Sequence, residues 1–402
     1  MNKIVLFGAG KIGRSFIGQL FSRGGYEVVF IDADPELIGE INRRKSYPVI
    51  IKEEDGDEEL LIRNVRGVCS SSTDAVIREI AGTSLVATSV GKANLEAATR
   101  LIASGLRYKQ TLDISPVTDI IIAENVRNVA AVVSDILTQV LNDREFIENN
   151  VGLVETSIGK MVPIMSRKET ERDRLMVYAE AYNTLILDKK GFKNPIPDIA
   201  GLAPKENMKA WVDRKSFIHN LGHAAIAYSG YLKFPERKFL YELLEDEEIS
   251  GLVRSAMLQS AEALLKEYPG EFTRGSLTDH IDDLIKRFRN RSLADTAFRV
   301  GMDLFRKLGP EDRLIGAIKL ARKHNLNFDK ICYILACGLH FRATDESGKM
   351  FSADSEFSNR YRQAPVEVVL NEVCGIDPVK ENDILESVFK ANNSLLTEKT
   401  IK

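Results

Sequence analysis

The chain has 402 residues, 44% hydrophobic and 28% charged, an ordinary balance for a globular protein of about two or three domains. With 55 Lys+Arg against 58 Asp+Glu the net charge is −3, so no global field draws the chain to nucleic acid or to an anionic membrane. Cys69, Cys332, Cys337 and Cys374 form no C-x-x-C pair and no zinc spacing, and they read as reduced thiols of a cytoplasmic protein. The N-terminus shows no secretory signal, and no run approaches the roughly 18 apolar residues of a membrane span.

In chain order, residues 3–7 read as a strand, 12–22 as a helix and 27–31 as a second strand. Residues 35–44 read as a helix with Pro35 in its first turn. Residues 49–52 are an extra strand. A helix over 73–80, a strand over 84–89, a helix over 93–103 and a buried strand over 120–123 follow. This alternation predicts an α/β fold, a doubly wound parallel sheet covered on both faces. Residues 151–158 and 175–187 read as further strands, added antiparallel to the same sheet. The Pro/Gly-rich stretch 194–204 is the linker candidate, giving domains over 1–193 and 205–402. Beyond Glu206 the periodicity is helical (209–221, 247–268, 277–288, 313–324 and 329–340), and a polar tail covers 397–402.

The first strand runs into Gly8-Ala9-Gly10-Lys11-Ile12-Gly13, a G-x-G-x-x-G turn between a strand and a helix. Gly8 would permit the tight turn, Gly10 the approach of a pyrophosphate, and Gly13 close packing of helix on strand. The helix N-terminus offers free N–H groups to phosphate. Asp32 ends the second strand at the spacing expected for a carboxylate that binds ribose hydroxyls. No Arg or Lys follows it directly, so a Rossmann domain that prefers NAD over NADP is expected. A glycine turn with a capping Asp is the bland alternative.

The second half carries Lys215, Asn220 and His223 on an expected helix. At 3.6 residues per turn Asn220 lies roughly 140° and His223 roughly 80° from Lys215. A lysine with a lowered pKa can take a hydroxyl proton, an amide can stabilise the alkoxide, and an imidazole can orient either. The scheme requires no metal, and no compact metal-ligand motif is present. Spacing alone leaves two matters open. His219, roughly 40° from Lys215, shares the arc, and a plain amphipathic helix with a solvated lysine fits the same residues.

Lys215…Asn220…His223 resembles the K-x₄-N-x₂-H motif of the polyol-specific long-chain dehydrogenases, the mannitol dehydrogenase family. The resemblance covers nearly the whole chain: Phe7-Gly8-Ala9-Gly10, Phe16-Ile17-Gly18, Val90-Gly91, Ala123-Glu124-Asn125, Val162-Pro163, Arg306-Lys307-Leu308, Asp312-Arg313-Leu314-Ile315 and His340-Phe341-Arg342. It implies an N-terminal Rossmann domain with added strands and a helical C-terminal domain. It also implies metal-independent, NAD-dependent oxidation of a sugar-alcohol phosphate, chiefly mannitol 1-phosphate to fructose 6-phosphate, and the reverse reduction. Lys215 maps to the general base, Asn220 and Asn125 to the alkoxide site, and His223, rather than His219, to the support of lysine and substrate. For Asn125 a helix N-cap is the alternative role. Val90 and Gly91 join Gly8, Ala9, Gly10, Lys11, Ile12, Gly13 and Asp32 in the cofactor set.

Arg14, Arg306, Lys307 and Arg342 are candidate grips for the substrate's phosphate, against a plainer reading as surface charges or ion pairs. The chain departs from the family pattern at Gly159-Lys160, Thr184-Leu185, Arg291 and Met302, so the reaction is better specified than the sugar. A free polyol or a hexonate is the alternative substrate, and a non-catalytic NAD-binding sensor the alternative role. Small-molecule partners are expected, with neither nucleic acid nor membrane.

Overall fold

Lys3–Phe7 forms β1, and its alternation decides the architecture of the first half. Ile4 and Leu6 enter one apolar layer, Val5 and Phe7 the other, and all four are buried. A strand buried on both faces belongs inside a covered parallel sheet. The structure, a computed structural model that describes residues 2–163, 165 and 167–401, puts it there. The further strands among the described residues are β2 (Glu27–Asp32), β3 (Ser46–Ile51), β4 (Glu58–Arg63), β5 (Val65–Cys69), β6 (Leu85–Thr88), β7 (Thr118–Ile122), β8 (Val151–Ser157), β9 (Val177–Ala179), β10 (Leu185–Asp188) and β11 (Leu202–Lys205). Five of them run parallel with β1 in the order β5-β2-β1-β6-β7-β8, the doubly wound order that binds dinucleotides where the direction of winding reverses. β10 joins β8 antiparallel, and β11 joins β10 in parallel, which completes eight strands. A smaller sheet pairs β3 antiparallel with β4 and parallel with β9.

The added strands differ from expectation in two ways. The 151–158 run is β8, the sixth parallel strand, because helical segments carry the chain over from β7. The 175–187 run is two strands. Residues 177–179 pair with β3 and 185–188 with β8, and between them buried Glu180 bonds Met161 both ways, its N–H to the Met161 carbonyl and its carboxylate to the Met161 N–H.

The first-half helices are α1 (Gln19–Arg23), which continues a π-turn Gly13–Gly18, α2 (Pro35–Arg44), α3 (Thr73–Ala81), α4 (Leu95–Lys109), α5 (Val129–Leu141), α6 (Arg144–Asn150) and α7 (Arg167–Arg172). The start of α2 follows its sequence signal. Asp34 caps it, accepting from the Glu36 and Leu37 N–H groups at 3.0 and 3.1 Å, and Pro35 needs no partner at the first position.

The chain divides into two compact units, Met1–Trp211 and Val212–Lys402. α8 (Met208–Arg214) spans the division. The second unit is helical: α9 (Leu221–Lys233), α10 (Leu240–Leu243), α11 (Glu247–Glu267), α12 (Arg274–Phe288), α13 (Ala297–Gly301), α14 (Leu304–Lys307), α15 (Ile315–Lys323), α16 (Asp329–Leu339), α17 (Ser352–Tyr361), α18 (Val366–Glu372) and α19 (Asn382–Ile401). α9 is its inner helix. Leu221, Ala224, Ala225, Ile226, Ala227 and Tyr228 are fully buried, and a helix apolar all round packs on every side, here against α11, α13 and α16. The polar end expected as a tail continues α19 as far as Ile401, and Lys402 lies outside the described residues. Cys332, Cys337 and Cys374 are buried free thiols, and Cys69 is half-buried. Among the described residues no helix is long and apolar enough to cross a membrane.

Candidate active site

In the first unit the three glycines of the loop have three different neighbourhoods. Gly8 has φ +94°, and a Cβ on it would lie 2.4 Å from the Ser89 carbonyl oxygen. A Cβ on Gly13 would lie 2.0 Å from the Gly8 carbonyl oxygen, so helix and strand touch there through backbone. A Cβ on Gly10 would meet no atom within 4 Å. The chain's own packing therefore demands glycine at the two outer positions but not in the middle. A bare, exposed backbone at Gly10 fits a loop that a pyrophosphate approaches closely.

Asp32 ties this loop to the end of β2. Its Oδ2 accepts from the Ala9 N–H at 2.7 Å, and its Oδ1 from the Asp34 N–H at 3.0 Å. Lys11 is exposed and Ile12 half-buried at the helix start. At the end of β6 the Val90 and Gly91 N–H groups donate to the two oxygens of Glu124, at 2.7 and 2.9 Å. Burial raises the pKa of Glu124, and those two bonds oppose the rise. Glu124 fixes the main chain of Val90 and Gly91, a contact that the sequence alone does not point to. The sequence marks only its place beside Asn125, after an apolar strand. Asn125 is exposed, and the N-cap position of the next helix falls to Asn128, whose side chain makes no capping bond.

Arg14 is buried beneath the loop. Its Nε donates to the Ala9 carbonyl at 2.7 Å and its Nη1 to the carbonyls of Arg174 and Leu175, at 3.0 and 2.5 Å. The guanidinium thus braces main chain. At one departure from the family pattern, Lys160 donates to the Tyr182 carbonyl and to Asn183 Oδ1, at 2.9 and 3.0 Å. At another, Leu185 is buried in β10.

In the second unit, the helix expected over 209–221 changes pitch. α8 gives way to a π-turn, Lys215–Asn220, before α9, and the Leu221 N–H bonds to the Ser216 carbonyl, five residues back. The angles counted at 3.6 residues per turn therefore do not hold here. Each turn takes more residues, so Asn220 swings back toward the side of Lys215, and His223, one α-turn on, follows. Single π-turns are frequent at functional sites for this reason. Buried Arg313 reaches the far end of the turn, its Nη1 3.4 Å from the Asn220 carbonyl, while its Nε pairs with Asp312 at 2.7 Å.

His219 and His223 lie with ring centroids 4.9 Å apart, and Phe288 covers both at 5.6 and 4.2 Å. His223 Nε2 is shut away from solvent with no hydrogen-bond partner among the described residues. Burial, and then the positive charges of Arg299, Arg313, Lys215 and Lys307, push the His223 pKa well below its ordinary value. Burial, with these positive charges behind it, therefore keeps the imidazole neutral.

The candidate phosphate grips divide sharply. Lys307 is buried, among the described residues donates only to the Val300 carbonyl, at 2.7 Å, and is pushed down to about 7 by burial and by the Arg313 and Arg306 charges. Arg306 is exposed and pairs with Asp303 at 2.5 Å and Asp312 at 3.4 Å. Arg342 donates to the Leu339 and Phe341 carbonyls at 3.0 and 2.6 Å. Arg299, another cation of the helical half that could meet a phosphate, pairs with Asp295, yet its buried Nε has no partner among the described residues. Met302 ends the short helix that carries it. The described residues hold no cluster of three or more His, Cys, Asp or Glu arranged for a metal ion.

Residues 2–201 match the family model of the mannitol dehydrogenase Rossmann domain, and residues 207–393 that of the mannitol dehydrogenase C-terminal domain. The chain belongs to the mannitol dehydrogenase family. Within this family of dehydrogenases it is 35% identical over 315 residues to mannitol-1-phosphate 5-dehydrogenase of Geobacillus stearothermophilus, covering 78% of this chain and 80% of that protein. It is 27% identical over 393 residues to the protein of the same name from Buchnera aphidicola, covering 97% of this chain and 98% of the other. Two solved structures share the fold. One is a substrate-free D-sorbitol dehydrogenase, with a TM-score of 0.80 at 15% identity, covering 97% of this chain and 92% of that one. The other is Pseudomonas fluorescens mannitol 2-dehydrogenase in a ternary complex with NAD and D-mannitol, with a TM-score of 0.75 at 16% identity, covering 98% and 92%.

Proposed function

We propose that this chain catalyses the NAD-dependent oxidation of a sugar-alcohol phosphate, chiefly mannitol 1-phosphate to fructose 6-phosphate, and the reverse reduction. The carrying observation is His223 Nε2, buried with no partner among the described residues and lying in the positive field of Lys215, Arg299, Lys307 and Arg313. Buried polar atoms are almost always satisfied, and an unsatisfied one needs an explanation. A hydroxylated, anionic substrate supplies one. Its hydroxyl would bond the imidazole, and its phosphate would keep the neighbouring cations charged.

The loop of Gly8, Ala9, Gly10, Lys11, Ile12 and Gly13 would hold the pyrophosphate, Asp32 the ribose, and Val90 and Gly91 the chain near the nicotinamide end. When bound, NAD supplies the hydride acceptor. Lys215, neutral at the moment of reaction, takes the hydroxyl proton on Nζ. Asn220 and Asn125 donate N–H groups to the oxygen as it gains negative charge. His223 orients the substrate hydroxyl and Lys215. A lysine base and two amide donors suffice for the proton and the alkoxide, so this scheme calls for no metal. Lys307 is the favoured phosphate partner. Among the described residues it has only a carbonyl to donate to, and an incoming anion would restore its charge. Arg14 and Arg342 are committed to carbonyls and Arg306 to carboxylates, so their share in binding is smaller.

The test is the rate of NADH formation with a panel of polyols, polyol phosphates and hexonates. A kcat/KM for mannitol 1-phosphate about 10²-fold or more above that for mannitol is expected. Comparable values would remove the phosphate from the account, and a hexonate above both would replace the substrate class. No NADH from any of them would leave a sensor.

A further inference from the structure

A sequence search for a 2′-phosphate partner looks at the residues just after Asp32, where only Ala33 and Asp34 stand. The fold brings a cation there from 140 residues away. Arg174 places its Nη2 2.6 Å from Asp34 Oδ2 and its Nη1 2.7 Å from Glu36 Oε2. Asp34 in turn gives its N–H to Asp32 Oδ1 at 3.0 Å. The guanidinium therefore stands one residue's reach from the carboxylate read as the ribose partner.

Its main chain is fixed. Asp173 takes both terminal nitrogens of Arg44 on α2, each at 2.8 Å. Arg14, beneath the glycine loop, donates to the carbonyls of Arg174 and Leu175. One short segment is thus tied to the loop, to the end of β2 and to α2. The Arg174 side chain itself is 48% exposed, and its two carboxylate partners are 37% and 78% exposed. Exposed ion pairs of this kind are weak and exchange readily. Three carboxylates against one guanidinium also leave this corner net negative, which repels a second phosphate.

We infer that Arg174 is a masked 2′-phosphate partner, held by Asp34 and Glu36, and that this clamp sets the choice between NAD and NADP together with Asp32. The inference rests on the reading of the glycine loop as a dinucleotide site. With both carboxylates neutralised, the guanidinium is left without its anionic partners and can grip a phosphate through two parallel N–H bonds. Arginine near the ribose is the usual means of accepting a 2′-phosphate. Arg174 keeps its position because the main chain around it is anchored independently.

The experiment measures Kd for NAD⁺ and NADP⁺ by calorimetry on the full chain, in the wild type, in Asp34→Asn/Glu36→Gln, and in the same double variant with Arg174→Ala. Asn retains the helix cap that Asp34 supplies to α2, and thermal melting checks the fold of each protein. In the double variant Kd for NADP⁺ should fall about tenfold or more, with Kd for NAD⁺ changed less than about threefold, and adding Arg174→Ala should erase the gain. A gain that survives Arg174→Ala would come from relieved repulsion alone and would overturn the inference. So would unchanged NADP⁺ binding in a double variant that still binds NAD⁺. Failure of the wild type to bind NAD⁺ would overturn the dinucleotide reading itself, and the inference with it.

Discussion

The glycine-loop region of the first unit and the Lys–Asn–His region of the second satisfy their polar groups in opposite ways. Around the loop, protein answers protein: Asp32 takes two main-chain N–H groups, Glu124 takes two more, and the Arg14 guanidinium is spread over three carbonyls. Around His223 the groups are left short. Its Nε2 and the Arg299 Nε are buried without partners among the described residues, and Lys307 has a single carbonyl. On the proposed reading the first arrangement is a cradle for a ligand bound mainly through backbone. The second keeps unspent polar groups, costly in the free protein and available to a substrate. Binding of the dinucleotide and chemistry on the polyol should therefore be separable by mutation.

The largest expected separation is at Lys215. Lys215→Ala should lower kcat for oxidation by roughly 10²–10⁴, the worth of a positioned base, and leave the calorimetric Kd for NAD⁺ nearly unchanged. Equal losses in both would mean that the two regions do not act independently.

Two alanines sharpen the picture of the cradle. Gly13→Ala forces a Cβ toward a backbone oxygen 2.0 Å away and should destabilise the fold by about 1–3 kcal/mol in urea unfolding. Gly10→Ala meets no atom within 4 Å, so its unfolding midpoint should match wild type while NAD⁺ affinity falls about tenfold. A destabilised Gly10→Ala would show that the middle glycine serves the fold. In the second unit, Lys307→Met should raise KM for the phosphorylated substrate about tenfold and leave KM for the free polyol unchanged. A rise for both would detach Lys307 from the phosphate.

The last effect concerns pH. His219, His223 and His280 are held neutral in the fold, burial being the first cause in each, and His280 is pushed down to about 3. Unfolded, each takes a proton near the ordinary histidine value of about 6.5. Below that pH the unfolded chain binds more protons than the folded one, so stability falls with acidification, by up to about 1.4 kcal/mol per pH unit per histidine. His280→Gln removes one of the three. Its urea midpoint should fall less steeply than wild type between about pH 6.5 and 4.5. Parallel curves would show that His280 is protonated in the folded state as well.

Much of the first unit was legible because its signals are local. A buried strand, a glycine turn, a helix and a closing Asp32 fall within some thirty residues, and each is dictated by neighbours in sequence. The family resemblance rested on the same locality, with the motif of Lys215, Asn220 and His223 spanning nine residues. Whatever depends on distant chain was not legible. Arg14 follows the glycine loop as a phosphate ligand would, but its partners at Arg174 and Leu175 lie 160 residues on. The apparently continuous strand over 175–187 divides between two sheets, and only the pairing with β3 reveals where β9 belongs. The π-turn at Lys215–Asn220 has no periodicity of its own over six residues, so counting at the α-helical pitch misplaced Asn220 on the helix face.

The claim at the centre of this account is that Lys215 is the base that takes the substrate's proton. The pH dependence of kcat for polyol phosphate oxidation, measured for wild type and Lys215→Ala with and without an added primary amine, tests it most directly. Oxidation needs the neutral amine, so the wild-type rate should rise with pH through one ionisation. In Lys215→Ala that ionisation should vanish, and the amine should restore part of the lost rate by filling the vacated space with a proton acceptor. A folded Lys215→Ala protein that binds NAD⁺ and keeps the wild-type pH profile and turnover would contradict it.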